Sequence, residues 1–206
     1  VVHHVAALAK AQSLVLMPDQ GAGAERLVIR AAYPPEDEID DKAKIKARQA
    51  LIDYARLDTD LGAPVVQDFP PQDLLNSLRA TFEPQAQAKG LGFVLDPDPG
   101  LPELVRSDPQ LLRQALAHLL DNAVKFTAAG EVRLGAATAP QNPRLLLFRV
   151  EDTGMGIPAE KRREVFEAFV QADSSFTRTL GGAGLGLAIA RKLASRLGGA
   201  VEAQDR

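Results

Sequence analysis

The chain has 206 residues, 46% of them hydrophobic, with a net charge of −3 and a pI near 5.7. Such a composition supports a core of ordinary size in one or two domains and argues against a surface built for nucleic acid or anionic membrane. The absence of cysteine excludes disulfides, thiolate zinc sites and cysteine nucleophiles together. No apolar run reaches the ~18 residues of a membrane span, and no signal-peptide pattern opens the chain.

The first residues, VVHHVAALAKA, carry a helical pattern. A hairpin is predicted next: SLVLMPD, a glycine-containing turn QGAGAE, then RLVIRAAY, ended by Pro34 and Pro35. The acidic cluster EDEIDD runs into KAKIKARQALIDYARLD, acid before base as the helix macrodipole favours. Ile45, Leu51, Ile52 and Ala55 are predicted on its apolar side. LGAPVVQDFPP reads as a proline-punctuated linker with a short extended piece.

From about Gln72 the pattern is that of an α/β domain. Leu74, Leu78 and Phe82 mark a helix face ending near Lys89-Gly90. LGFVLD and ELVRSD are predicted strands. Asp108-Pro109 is a helix start, an N-cap acid followed by proline in the first turn. That helix should reach Phe126, with Gly130 closing the next turn. EVRLGAA and RLLLFRVED are predicted strands joined by a TAPQNP loop. PAEKRREVFEAF is helical in part, and a glycine-rich loop precedes the final helix LGLAIARKLASRLGG. AVEAQ is expected to begin a strand.

On the helix from Pro109 to Phe126, the residues Leu112, Leu116, Leu119, Ala123 and Phe126 form an apolar stripe suited to packing on a sheet. Gln114, His118, Asn122 and Lys125 fall roughly opposite. Taken alone, a solvated outer face is the more ordinary explanation of that ladder. Read functionally, an asparagine amide oxygen is a neutral metal ligand, and a lysine meets phosphate as a point charge.

VEDTGMGIP leaves an apolar strand with a carboxylate at its end and Gly154 and Gly156 behind it. Asp152 is suited to accept a hydrogen bond from an adenine amino group, and the glycines let backbone approach a base. A tight turn after a strand accounts for the same residues, and Pro158 breaks the register of a dinucleotide fingerprint. In GGAGLGLAIARKLA, Gly182, Gly184 and Gly186 alternate into an amphipathic helix, so exposed amides at a helix N-terminus can wrap a polyphosphate. No Gly-Lys-Ser/Thr follows, which excludes a Walker A loop. Between the boxes, Phe166 and Phe169 anchor a polar segment suited to a lid, and Arg178 within it can reach a terminal phosphate.

In their order, HLLDNAVKFT, EDTGMGIP, VFEAFVQAD and GGAGLGLAIARKLA resemble the N, G1, F and G2 boxes of the sensor histidine kinase catalytic domain. That domain belongs to the GHKL ATPases, with gyrase, MutL and the heat-shock chaperone. The resemblance covers about Phe69 to Gln204. It implies a Bergerat-type two-layer α/β sandwich, a mixed sheet covered by helices, holding Mg-ATP between the N-box helix and the lid. By the same resemblance, the family's last strand is expected to be missing from this segment.

Carried over by position, the resemblance makes Asn122 a magnesium ligand and sets Lys125 toward phosphate. Asp152 reads adenine in a pocket shaped by Gly154, Gly156 and Ile157. Gly182, Gly184, Leu185, Gly186 and Leu187 approach the phosphates, with Phe169 and Arg178 from the lid side. His118 stands where kinases often carry asparagine and other GHKL ATPases a catalytic glutamate. It is assigned with Asn122 and Lys125 to the catalytic group, and with Asn122 to the metal.

His3 and His4 lack the acidic neighbour and the Arg-Thr-Pro run of a phosphoacceptor stretch. The acceptor histidine is therefore expected on a dimerisation domain outside this segment, with a response regulator as further partner. ARQALIDYARLDTD resembles the tail of a second dimerisation helix, which points to a homodimer. Residues 1–40 resemble part of a GAF domain of potassium-responsive sensor kinases. The expected division is 1–40 sensory fragment, 41–61 helix, 62–71 linker and 72–206 catalytic ATP-binding domain. The expected location is cytoplasmic, as the inner part of a membrane-associated sensor. The alternative function is a nucleotide-binding regulatory module without autokinase activity.

Overall fold

In the computed structural model, residues 14–18, 27–31, 45, 48–52, 54, 63–140, 142–170 and 184–204 are described. The chain divides into two compact units, Val1–Ile45 and Lys46–Arg206. In the first, β1 (Leu14–Pro18) and β2 (Leu27–Ala31) pair antiparallel, from Leu14 opposite Ala31 to Pro18 opposite Leu27. This is the predicted hairpin. The expected opening helix lies outside the described residues.

In the second unit, β3 (Gln67–Phe69) and β5 (Val105–Ser107) form an antiparallel ribbon. The main sheet has the order β4 (Gly92–Pro97), β6 (Glu131–Ala139), β7 (Asn142–Asp152). β4 runs parallel to β6, and β6 antiparallel to β7, so the sheet is mixed as expected. β6 continues to Ala139 and β7 begins at Asn142, with a bulge at Thr138/Ala139. The predicted TAPQNP loop is thus mostly strand, because ladder pairing overrides the turn chemistry of its prolines and asparagine. AVEAQ is a correction in the other direction: residues 201–204 form no strand. A strand requires a ladder partner, and alternation alone does not supply one.

Helix α1 (Pro71–Ala88) and helix α2 (Pro109–Phe126) cover one face of the sheet. Leu75, Leu78, Leu120, Val132 and Leu134 are fully buried between the layers. Truncating any of them to alanine typically costs ~2–5 kcal/mol. On the outer face, Arg133 bonds Glu131 and Asp96, Glu131 more closely, and both contacts raise its pKa above the ordinary arginine value.

The predicted stripe on α2 is only partly the buried one. Leu112, Leu119 and Phe126 are half-buried, whereas Leu120 and Val124 are buried although the stripe omits them. The reason is that α2 is enclosed on two sides. Leu116, Leu120, Ala123 and Val124 face the sheet and α1. Ala115 belongs to a second cluster with Leu185, Ile189 and Leu193, through which helix α3 (Gly186–Arg196) packs on α2.

Ala50, Leu51 and Tyr54, from the helical residues 48–52 and 54, also join that second cluster. The packing face there is only partly the predicted one: Leu51 packs as expected. Ile45 and Ile52 stay 68% and 39% exposed.

Candidate functional site

α2 begins where predicted. The buried Asp108 carboxylate accepts from the amides of Gln110 at 2.9 Å and Leu111 at 3.0 Å through Oδ1. Its Oδ2 accepts from the amide of Val65 at 2.8 Å, which ties the linker to the same helix start. Further along the helix, the polar ladder is neither fully wet nor core: His118, Asn122 and Lys125 are all half-buried. The Lys125 ammonium stands 4.8 Å from the centroid of the Phe126 ring.

Asn122 meets the start of α3. A Cβ on Gly186 would lie 3.3 Å from Asn122 Nδ2 and 3.5 Å from Oδ1. Glycine at 186 therefore lets the N-terminal turn of α3 approach the amide. Leu185, the N-cap of α3, makes no side-chain cap bond. Its side chain is buried in the second cluster, and Leu187 is half-buried.

The EDTGMGIP box folds back on the other end of α2. The Gly154 amide donates to Asp152 Oδ1 at 2.8 Å. A Cβ on Gly154 would sit 2.7 Å from that oxygen and 2.8 Å from the Phe126 carbonyl oxygen, closer than a side chain tolerates. Gly156 has φ +71° and open space where a Cβ would be. Ile157 is half-buried, and its carbonyl accepts from Arg162 Nε at 3.3 Å.

Thr153, which the motif reading passed over, links the box to the turn after α2. Its hydroxyl donates to the Ala129 carbonyl at 2.9 Å and accepts from the Glu131 amide at 3.0 Å. A threonine between the two named residues was the available signal.

Phe169 and Gly184 meet: the Phe169 amide donates to the Gly184 carbonyl at 3.1 Å. Both have positive φ, +66° at Phe169 and +65° at Gly184. For a phenylalanine that conformation costs of order 1–3 kcal/mol, so it persists only where surroundings impose it. Here the ring packs in the second cluster and meets Tyr54 edge-on at 6.2 Å. Arg178 and Gly182 lie outside the described residues.

No group of three or more His, Asp or Glu that could hold a metal occurs among the described residues. A magnesium ion fits such a site only if it keeps waters and substrate phosphates and takes one or two protein oxygens. The half-buried Asn122 amide is a donor of that kind. Two shallow grooves, about 270 and 440 Å³, lie beside Tyr54 and Lys192 and between Phe69 and Gln114, and neither includes Asn122 or Asp152.

Residues 107–206 match the family model described as histidine kinase-, DNA gyrase B-, and HSP90-like ATPase. This part of the chain is a histidine-kinase-type ATPase domain. The chain is 40% identical over 159 residues to Sensor histidine kinase AruS of Pseudomonas aeruginosa, an alignment covering 76% of this chain and 16% of that protein. It is 37% identical over 138 residues to the sensory/regulatory protein RpfC of Xanthomonas campestris, covering 66% of this chain and 19% of that one. The chain thus spans less than a fifth of the curated relatives it matches.

Among solved structures, full-length ShkA in complex with AMPPNP superposes with a TM-score of 0.69 at 33% identity, covering 79% of this chain and 33% of that one. The ATPase domain accordingly has the α/β fold of the histidine kinase catalytic domains. No helix among the described residues is long and apolar enough to cross a membrane.

Proposed function

We propose that this segment binds Mg-ATP and passes the γ-phosphoryl group to a histidine supplied outside it. The single observation that carries the reading is the approach of Gly186 to Asn122, which sets the N box against the N-terminus of α3. A helix start without a side-chain cap attracts phosphate, and the amide oxygen beside it suits a cation shared with that phosphate.

In this reading Asp152 accepts from the adenine amino group. Gly156 and Ile157 line the base, and Lys125 faces phosphate. Asn122 holds magnesium with His118 beside it, and the bound ion supplies charge neutralisation for the phosphates. Gly182, Gly184 and the amides at Leu185 to Leu187 lie along the phosphates, with Phe169 and Arg178 on the lid side. Catalysis is then positioning and electrostatics. The bond between the γ-phosphorus and its bridging oxygen breaks, a nitrogen–phosphorus bond forms, and ADP leaves.

The relatives' names support a sensor kinase context. We extend it to a homodimer with a response regulator as partner, located at the cytoplasmic side. We also divide the chain into a GAF-like fragment (1–40), a helix (41–61), a linker (62–71) and the catalytic domain (72–206). The test is phosphorylation of a supplied dimerisation domain with and without Asn122→Asp. Transfer should collapse in the variant, and equal transfer would remove the role given to Asn122.

A second reading, a nucleotide-binding regulatory module without autokinase activity, is favoured by one observation. His3, His4 and His118 are the histidines of this chain, and no phosphoacceptor-like stretch surrounds them. Incubating the chain and a supplied histidine-containing dimerisation domain with labelled ATP separates the two readings of this segment. Acid-labile phosphate on that domain would exclude the regulatory one, and its absence would exclude transfer.

A further inference from the structure

The exit of α2 is held by a residue that belongs to none of the four boxes. Lys89, the C-cap of α1, lays its ammonium over the last turn of α2. It donates to the carbonyls of Val124 at 2.6 Å, Lys125 at 3.0 Å and Thr127 at 3.1 Å. The last carbonyls of a helix have no intrahelical donors, and their aligned dipoles concentrate negative charge there. One ammonium answers both needs, with charge-assisted bonds stronger than neutral ones.

The surroundings fix Lys89 in turn. Its own amide donates to the Ala86 carbonyl at 2.9 Å. Gly90, at φ +73°, turns the chain into β4, and the Gly92 amide donates to the Gly130 carbonyl at 2.8 Å. The end of α1 and the turn after α2 are therefore stitched side by side.

The α2 exit carries residues of the site. Lys125 is in its last helical turn. Phe126 offers the carbonyl against which Gly154 packs, and Thr153 holds Ala129 one step beyond. A shift of the α2 exit by a few tenths of an ångström moves Lys125 and Asp152-Gly154 relative to each other.

We propose that Lys89 is a positioning residue of the nucleotide site: by capping α2 from α1 it sets the spacing between the N box and the EDTGMGIP box. The proposal rests on the nucleotide-binding reading above.

The test is calorimetric titration of the full chain with Mg-ADP and with adenosine, for native protein, Lys89→Met and Lys89→Arg, with the thermal midpoint of each recorded without nucleotide. Lys89→Met should fold and bind Mg-ADP, which engages both boxes, about tenfold more weakly, with a smaller loss for adenosine, which engages only the EDTGMGIP box, since misplacement at this scale weakens preorganised sites by such factors. Lys89→Arg should restore most of the affinity. A folded Lys89→Met protein with a lowered midpoint but native affinities would overturn the proposal and leave Lys89 a stabilising cap only. Should the methionine variant not fold, Lys89→Gln, which keeps an amide donor, carries the same comparison with the same two outcomes. Absence of saturable binding by the native chain would overturn the nucleotide reading itself, a result distinct from unchanged affinity in the variant.

Discussion

Two of the closely packed glycines at the site, Gly186 and Gly154, differ in what a methyl group would meet. At Gly186 the neighbour is the end of the Asn122 side chain, 3.3 Å from a Cβ, which can yield by a few tenths of an ångström. Gly186→Ala also favours the helix it opens, by about 0.4–1 kcal/mol through the unfolded chain. The expected result is an unchanged or slightly raised thermal midpoint together with an approximately fivefold loss of Mg-ADP affinity, about 1 kcal/mol. At Gly154 the neighbour is backbone, the Phe126 carbonyl 2.8 Å away, and it cannot yield. Gly154→Ala should destabilise the fold by roughly 1–3 kcal/mol in urea unfolding and weaken nucleotide binding as well. These contacts were not legible as contacts. The sequence marks Gly154, Gly186 and Asn122 as motif positions, but which glycine faces which side chain depends on how α2 and α3 are juxtaposed.

Among the elements, α2 is the one on which the site depends, and both its ends are anchored by groups that reach beyond it. Asp108 caps its N-terminus and also binds the Val65 amide. Asp108→Ala removes the cap and leaves a linker amide without its acceptor, an expected loss of about 2 kcal/mol. For a domain of this size that lowers the thermal midpoint by roughly 5–8 °C. The Mg-ADP dissociation constant of the folded protein should be unchanged, because Asp108 is at the far end of the helix from Asn122.

The start of α2 was readable because an N-cap acid before proline is local chemistry. Its buried face was not, since a stripe drawn for a helix on a sheet omits the second side that α3 encloses. The same holds for residues 48–54, where Leu51 and Tyr54 pack and Ile52 does not. The exposed ion pair between Arg191 and Glu167, at 2.8 Å, adds little here, as exposed pairs contribute ~0–1 kcal/mol.

At the scale of the molecule, the order of four short motifs carried more than any one of them. Each has an ordinary explanation alone, and the ladder on α2 by itself reads more readily as a solvated face. The mixed order of the sheet and the two helices over it follow the family that the motifs imply. Strand extents did not follow, because β6 and β7 are lengthened by each other and residues 201–204 have no ladder. Ligand binding should stabilise the second unit by mass action, about 2.7 kcal/mol at a ligand concentration of 100 times the dissociation constant. Differential scanning calorimetry with and without Mg-ADP should register this as a raised midpoint.

The most direct measurement is calorimetric titration of the chain with Mg-ADP, native against Asp152→Ala. Asp152 is exposed at the end of β7 and bonds Gly154 through one oxygen. Saturable binding to the native chain that is lost in the variant is expected. No saturable binding to the native chain, or equal affinity in both, would contradict the assignment of this site to nucleotide.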